Sequence, residues 1–160
     1  MAFWLLKSEP DVFGWEHLLN CEDQQEPWDG IRNYQARNFI RDDMRDGDLG
    51  FFYHSNTDVP GIVGICRIIG DARPDPTQFD PTSKYHDPKS TSDNPRWLLR
   101  EVQAVRPLKR KISLAELKSR AEELGDFPLI RRGNRLSIMP VDATVWEQIL
   151  ALESRQPPGA

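Results

Sequence analysis

Residues 51–68 read FFYHSNTDVPGIVGICRI, and the fold turns on how this stretch is taken. Phe51 and Phe52 open one arm, Pro60-Gly61 turns the chain, and Ile62, Gly64, Cys66 and Ile68 alternate with Val63, Ile65 and Arg67 along the other. Two short runs about such a turn form a β-hairpin. The first arm ends oddly, with a ring, an imidazole and a hydroxyl side by side at Tyr53, His54 and Ser55. That trio suits a pocket at a strand end, and His54 equally suits a hydrogen-bonded strand histidine. Close backbone approach at Gly61 and Gly64 would leave room for a ligand.

Outward from the hairpin the chain mixes strands and helices. AFWLLK (2–7) is a strand, DVFGWEHLLN (11–20) a helix with Trp15, Leu18 and Leu19 on one stripe, and NYQARNFIRDDMRDGD (33–48) a second helix ended by Gly47. RWLLREVQAVRPL (96–108) returns to strand character. Ser113 with Glu116 is a capping box opening a helix to about Leu124. RLSIMPV (135–141) is a last strand and DATVWEQILALE (142–153) a last helix. Residues 73–95 hold five prolines without periodicity, a long loop of the kind that is functional or mobile. The acidic NCEDQQEP (20–27) reads as a surface loop. No strict βαβ alternation runs through this order, so the expected fold is α+β, a curved or barrel-like mixed sheet flanked by helices. One domain over 1–152 and a flexible tail over 153–160 are expected.

The totals agree. A chain of 160 residues with 38% hydrophobic and 29% charged residues builds one globular domain with a core. Its apolar runs fall far short of the roughly 20 residues that cross a bilayer. MAFWLLKSEP lacks a basic leader and a cleavage site, so it reads as a strand rather than a signal peptide. Cys21 and Cys66 form no disulfide framework, and a reducing compartment is expected, the cytoplasm first and a nucleus otherwise. The net charge of −4 divides unevenly: residues 1–80 carry 7 Lys/Arg against 15 Asp/Glu, and residues 81–160 carry 14 against 10. RPLKRK (106–111) and RRGNR (131–135) lie in the basic half, as phosphate-contacting faces or as solvated loops.

Several chemistries lack their residues. No glycine-rich loop ends in Lys-Ser/Thr. His17 and Cys21 lie one helical turn apart, too few ligands for zinc. Ser8 or Cys66 could be paired with His54 as nucleophile and base, but no nucleophile motif surrounds them. No metal or other cofactor is expected, and no catalytic residue is assigned.

What recurs is an aromatic ring beside a small polar group, in WLLKSEP (4–10), PWDGIRNYQARN (27–38), the hairpin, and NPRW (94–97). Stacking faces with hydrogen-bonding neighbours are what an unpaired or extruded base needs. Trp4, Trp15 and Trp146 lie on apolar stripes and read as core. Trp28 sits in a Pro/Asp/Gly loop with no periodic reason for burial and reads as binding. Trp97 supports either reading, and Asn33 caps a helix or binds.

In order along the chain, WLLKSEPDVFGW, WDGIRNYQARN, FFYHSN, PGIVGI, DPTQFDPTSKYHDPKS and NPRWLL resemble the EVE domain family, with RRGNRLSIMPV fitting its final strand region. The resemblance spans about residues 2–150 and implies a PUA-like fold related to YTH domains. It implies a reader of modified bases, modified cytosine in DNA first, with modified RNA bases the alternative and hydrolysis of a modified nucleoside the third. The pocket it implies draws Lys7 and Ser8 from the first strand, Trp28 to Tyr34 with Arg32 and Asn33 from the loop, and Tyr53, His54 and Ser55 from the hairpin. Trp97 is a further wall, and Arg131, Arg132 and Arg135 are candidates for phosphate. Nucleic acid is the expected partner, no membrane is involved, and a monomer is expected.

Overall fold

In the computed structural model, residues 1–157 are described. Six strands make one sheet: β1 (Phe3–Ser8), β2 (Gln25–Pro27), β3 (Leu49–His54), β4 (Gly61–Pro74), β5 (Leu98–Ser113) and β6 (Ile138–Val141), in the order β2-β5-β4-β3-β1-β6. The hairpin forms as expected, β3 antiparallel to β4, while β1 runs parallel to β3 and β6 returns antiparallel to β1. The sheet is mixed but open: β2 and β6 stand at opposite edges and do not pair, which corrects the barrel-like expectation. β2, inside the stretch read as a surface loop, is held by backbone pairing to β5.

Neighbouring strand residues point to opposite faces, and here both faces are buried. Leu5, Phe51, Tyr53 and Ile62 pack with Trp146 and Ile149 of α6 (Ala143–Leu152) on one side. Trp4, Leu6 and Phe52 pack on the other with Trp15 of α2 (Trp15–Leu19) and Ala36 of α3 (Tyr34–Asn38). The Phe51 and Trp146 rings stack at 3.9 Å. Burial on both faces explains why these strands read as continuous apolar runs.

The expected first helix is two, α1 (Pro10–Phe13) and α2, separated by the extended Gly14. Two imidazoles satisfy the amides exposed at that break: Gly14 N–H donates to His17 Nδ1 at 2.7 Å and Trp15 N–H to His54 Nε2 at 3.0 Å. The second helix is shorter than its pattern, α3 passing into a wider turn over residues 39–43. Ser113 caps α4 (Leu114–Ser119) by accepting from Glu116 N–H, and α5 (Ala121–Leu124) follows. The space at Gly64 holds no ligand, since a Cβ there would meet the Trp15 ring at 2.6 Å; at Gly61 it would meet Ile112 O at 2.5 Å.

The RPLKRK face is spent on the C-terminal end of the chain. Arg106 forks onto Glu153 at 2.7 and 2.8 Å, and Arg110 onto Glu116 at 2.7 and 2.8 Å while also donating to the carbonyls of Leu152 and Arg155. The expected flexible tail is therefore anchored over residues 153–155; its last positions, 158–160, lie outside the described residues. Among the described residues no helix is long and apolar enough to cross a membrane.

Candidate nucleic-acid interface

Where β1 ends, a cleft of about 540 Å³ opens between that strand end, the 26–31 loop, residues 84–85 and the 135–137 segment. This volume suits one small ligand. Of the residues expected there, Lys7, Ser8, Trp28, Ser55 and Arg135 line it.

Trp28 forms a wall rather than a free paddle. It is 8% exposed, its N–H donates to Arg100 O at 2.9 Å, and its indole stands edge-on to Phe52 (5.5 Å) and Phe13 (6.2 Å). Phe13 lines the cleft beside it. Ser8 Oγ donates to Phe13 O, fixing that turn, and Ser55 N–H donates to Ser8 O. The Lys7 ammonium is half-buried with no salt bridge among the described residues, and burial lowers its pKa.

Other expected residues stand outside the cleft. Tyr53 is 2% exposed in the core on the Phe51 face, and burial pushes its phenol up to about 12. His54 is spent as the acceptor for Trp15 N–H. Cys66 is buried, and Ser8 donates to a carbonyl. Asn33 caps α3, its Oδ1 accepting from Ala36 N–H at 3.0 Å. Arg131 pairs with Asp126 at 2.9 Å, and Arg132 is exposed away from the lining.

Arg32 is a clamp beneath the cleft. It donates to Tyr85 O at 2.7 and 2.9 Å, to Asp75 at 3.0 Å and to Thr77 Oγ1 at 3.0 Å, with its guanidinium 5.4 Å from the Tyr85 ring and 5.5 Å from the Trp97 ring. Trp97 is buried, donates its indole N–H to Asp87 at 2.8 Å, and carries Tyr34 at 4.8 Å. Tyr34 and Trp97 thus make a separate stack, with the Arg37 guanidinium 4.9 Å from the Tyr34 ring.

The long loop supplies what the residue-by-residue reading missed. Tyr85 and Lys84 line the cleft. Gly30 takes φ +79°, and a Cβ there would meet the Tyr85 ring at 2.8 Å, so Trp28-Asp29-Gly30 fits closely under that ring. Glu9, Glu26 and Asp29 add three carboxyls. Glu9 accepts from Asn56 and Glu26 from the Cys21 thiol, whereas the Asp29 side chain receives no hydrogen bond from any other described residue. Burial, then the nearby Asp75 and Glu26 charges, raise the Asp29 pKa against the opposing pull of Arg32 and of its own backbone amide. Among the described residues no group of three or more His, Cys, Asp or Glu could hold a metal ion.

An open six-stranded mixed sheet, helices on both faces, and one aromatic and charged cleft at a strand end define the class: a small α+β domain with a single-ligand pocket. The family model for the EVE domain matches residues 2–152, and the chain belongs to that family. It is 43% identical to human thymocyte nuclear protein 1, over 98% of this chain and 76% of that protein. Its structure is similar to that of human THYN1 protein in complex with 5-methylcytosine containing DNA, with TM-score 0.90, 42% identity, and coverage of 98% of this chain and 100% of that chain. A Pseudomonas syringae protein matches with TM-score 0.89 and 47% identity over 95% of this chain and 99% of that chain. A likeness to the YTH domain of Zygosaccharomyces rouxii MRB1 protein, TM-score 0.50 at 14% identity over 99% of this chain and 88% of that chain, concerns the fold alone.

Proposed function

We propose that this chain is a reader domain that takes one extruded, modified nucleobase of a DNA strand into the cleft, 5-methylcytosine first. The observation that carries the reading is the match along nearly the whole chain to a human protein in complex with 5-methylcytosine containing DNA. The cleft supports it with stacking walls at Trp28, Phe13 and Tyr85 and cations at Lys84 and Arg135 on its margin.

The magnitudes fit a reader of modest selectivity. Extrusion costs a few kcal/mol, and each aromatic stack returns roughly 1–3 kcal/mol. Rings offset extrusion, so net affinity rests on hydrogen bonds to the base edge and on phosphate contacts. Burying one methyl carbon adds about 0.8 kcal/mol. The site's own groups divide the work: Trp28 and Phe13 exclude water from the ring faces, Lys7 and Ser55 offer donors to base oxygens, and Lys84 and Arg135 meet the backbone.

Fluorescence anisotropy of labelled duplexes tests this. A single 5-methylcytosine is expected to tighten binding about fourfold or more over the plain duplex, the worth of ~0.8 kcal/mol. Tyr85→Ala should cost roughly 1–3 kcal/mol of affinity for either strand. Equal affinity for marked and plain duplex overturns the reading. The same marks in RNA form a second arm, and tighter binding there would transfer the function to RNA.

A further inference from the structure

Accepting the reader function leaves a chemical problem that the methyl group cannot solve. Thymine carries the same methyl at the same ring position as 5-methylcytosine, so walls that fit one fit the other. The two bases differ at position 4, where cytosine presents an amino donor and thymine an oxo acceptor, and at N3, an acceptor in cytosine and an N–H in thymine.

The cleft's polar groups can be sorted by what they have left to give. Ser8 has committed its hydroxyl hydrogen to Phe13 O. Glu9 is occupied by Asn56, and Glu26 by Cys21. Lys7 is a donor only and would attract the oxo group as readily as any carbonyl. Of the cleft's carboxyls, that of Asp29, exposed along the wall, is the one that receives no hydrogen bond from another described residue. Its backbone is fixed between Trp28, whose N–H is tied to Arg100 O, and Gly30, whose N–H donates to Asp75 at 2.8 Å.

We propose that Asp29 is the specificity-determining residue of the cleft: its carboxyl accepts from the 4-amino group of a cytosine-type base and turns away the 4-oxo group of thymine. As a carboxylate it presents acceptors only, which attract the 4-amino donor and repel the 4-oxo group. The charged groups near it are Asp75 and Glu26, which favour the acid, and Arg32, which opposes it; Lys7, Glu9, Lys84 and Arg135 line the same cleft.

The test uses the full chain and duplexes carrying 5-methylcytosine, cytosine or thymine opposite an abasic site, so that the extruded base has no partner to leave. Wild type is expected to prefer 5-methylcytosine to thymine about tenfold to a hundredfold, the discrimination of one good edge pair. In Asp29→Ala that ratio should collapse towards unity. Asp29→Asn, whose amide can turn either its oxygen or its NH2 to position 4, should lower the ratio in the same direction. An undiminished ratio in Asp29→Ala overturns the role of Asp29 while leaving the reader function standing. Wild type that fails to prefer 5-methylcytosine to plain cytosine overturns the reader function and this proposal with it.

Discussion

The hairpin and the loop that follows it are built by opposite means. Between Leu49 and Pro74 the chain is held by apolar burial on two faces, and its polar-looking end is absorbed by that scheme. Tyr53 falls on the Phe51 side and disappears into the core, while His54 is spent on a helix amide. Residues 75–97 have almost no apolar pattern, yet they are pinned by two fully buried polar side chains. Asp75 accepts from Gly30 N–H, Thr77 and Arg32; the Gln78 amide donates to the carbonyls of Asp75 and Trp97 and accepts from Ser90 Oγ and Trp97 N–H. That network sets Tyr85 against Gly30 at the cleft. A satisfied buried polar network rigidifies a loop as firmly as hydrophobic burial does a strand. One cleft ring, Tyr85, comes from the polar build, and the other two, Trp28 and Phe13, from the apolar one.

Asp75→Ala is the hardest blow to this contrast. It leaves the Arg32 guanidinium and the Gly30 and Thr77 amides without their acceptor, and breaking a buried ion pair costs about 3–5 kcal/mol. Asp75 has no exposed side-chain surface and Arg32 only 21%, so screening by water is slight. Chemical denaturation should show that loss together with loss of DNA binding. A cost below ~1 kcal/mol, the value of a surface pair, would mean the loop is held by something else.

A pair of glycines draws the contrast more finely. Gly64→Ala pushes a methyl onto the Trp15 ring inside the core and should destabilise by ~1–3 kcal/mol, with affinity per folded molecule unchanged. Gly30→Ala strains a left-handed residue by ~1–2 kcal/mol and presses Tyr85 out of place. Its larger effect should be on DNA affinity. Calorimetric unfolding with parallel anisotropy titrations checks both, and a Gly30→Ala protein that binds normally would detach Tyr85 from the site.

The same division decides what could be read in the sequence. β1, β3 and the first part of β4 were legible because burial on both faces writes itself as apolar runs, whereas β5 is half exposed and runs on through the basic stretch to Ser113. β2 was not legible, since Gln25, Glu26 and Pro27 bury nothing distinctive and are recruited through their backbone. Lys7, Ser8 and Ser55 fall at the cleft because strand ends converge there, and Trp28 lines it while packing on Phe52 and Phe13, a burial its loop setting did not suggest. Tyr53 and His54 do not fall there, because successive residues face opposite sides and only the finished packing says which side holds a pocket. Arg32 and Trp97 looked like contacts and turned out to support Tyr85. The basic run at 106–111 met Glu153 and Glu116, carboxylates distant or unremarkable in the sequence. Asp29 carries no signal in itself; its interest arises from receiving no hydrogen bond from another described residue in a lined cleft.

His54 supplies the gentlest test, because its role belongs to stability alone. Its Nε2 must keep a lone pair to accept from Trp15 N–H, and burial, then the Lys111 charge, hold its pKa below the ordinary 6.5. A folded-state pKa below the unfolded value means that protonation favours unfolding. The stabilisation is therefore complete above pH 6.5 and is lost as pH falls through the lowered value. Because the ring is half-exposed, the loss between pH 7.5 and 5.5 should stay below ~1.4 kcal/mol, the worth of one pKa unit. The depressed carboxylates of Asp75 and Glu153 act in the same direction but titrate lower, beneath their ordinary values of 3.8 and 4.5, and so contribute little in this window. Urea denaturation at the two pH values should show a smaller difference in His54→Gln than in wild type, with DNA affinity at pH 7.5 equal in the two proteins. Weakened DNA binding in His54→Gln would return the hairpin end to the binding site and erase the line between the region that holds the fold and the region that meets the base.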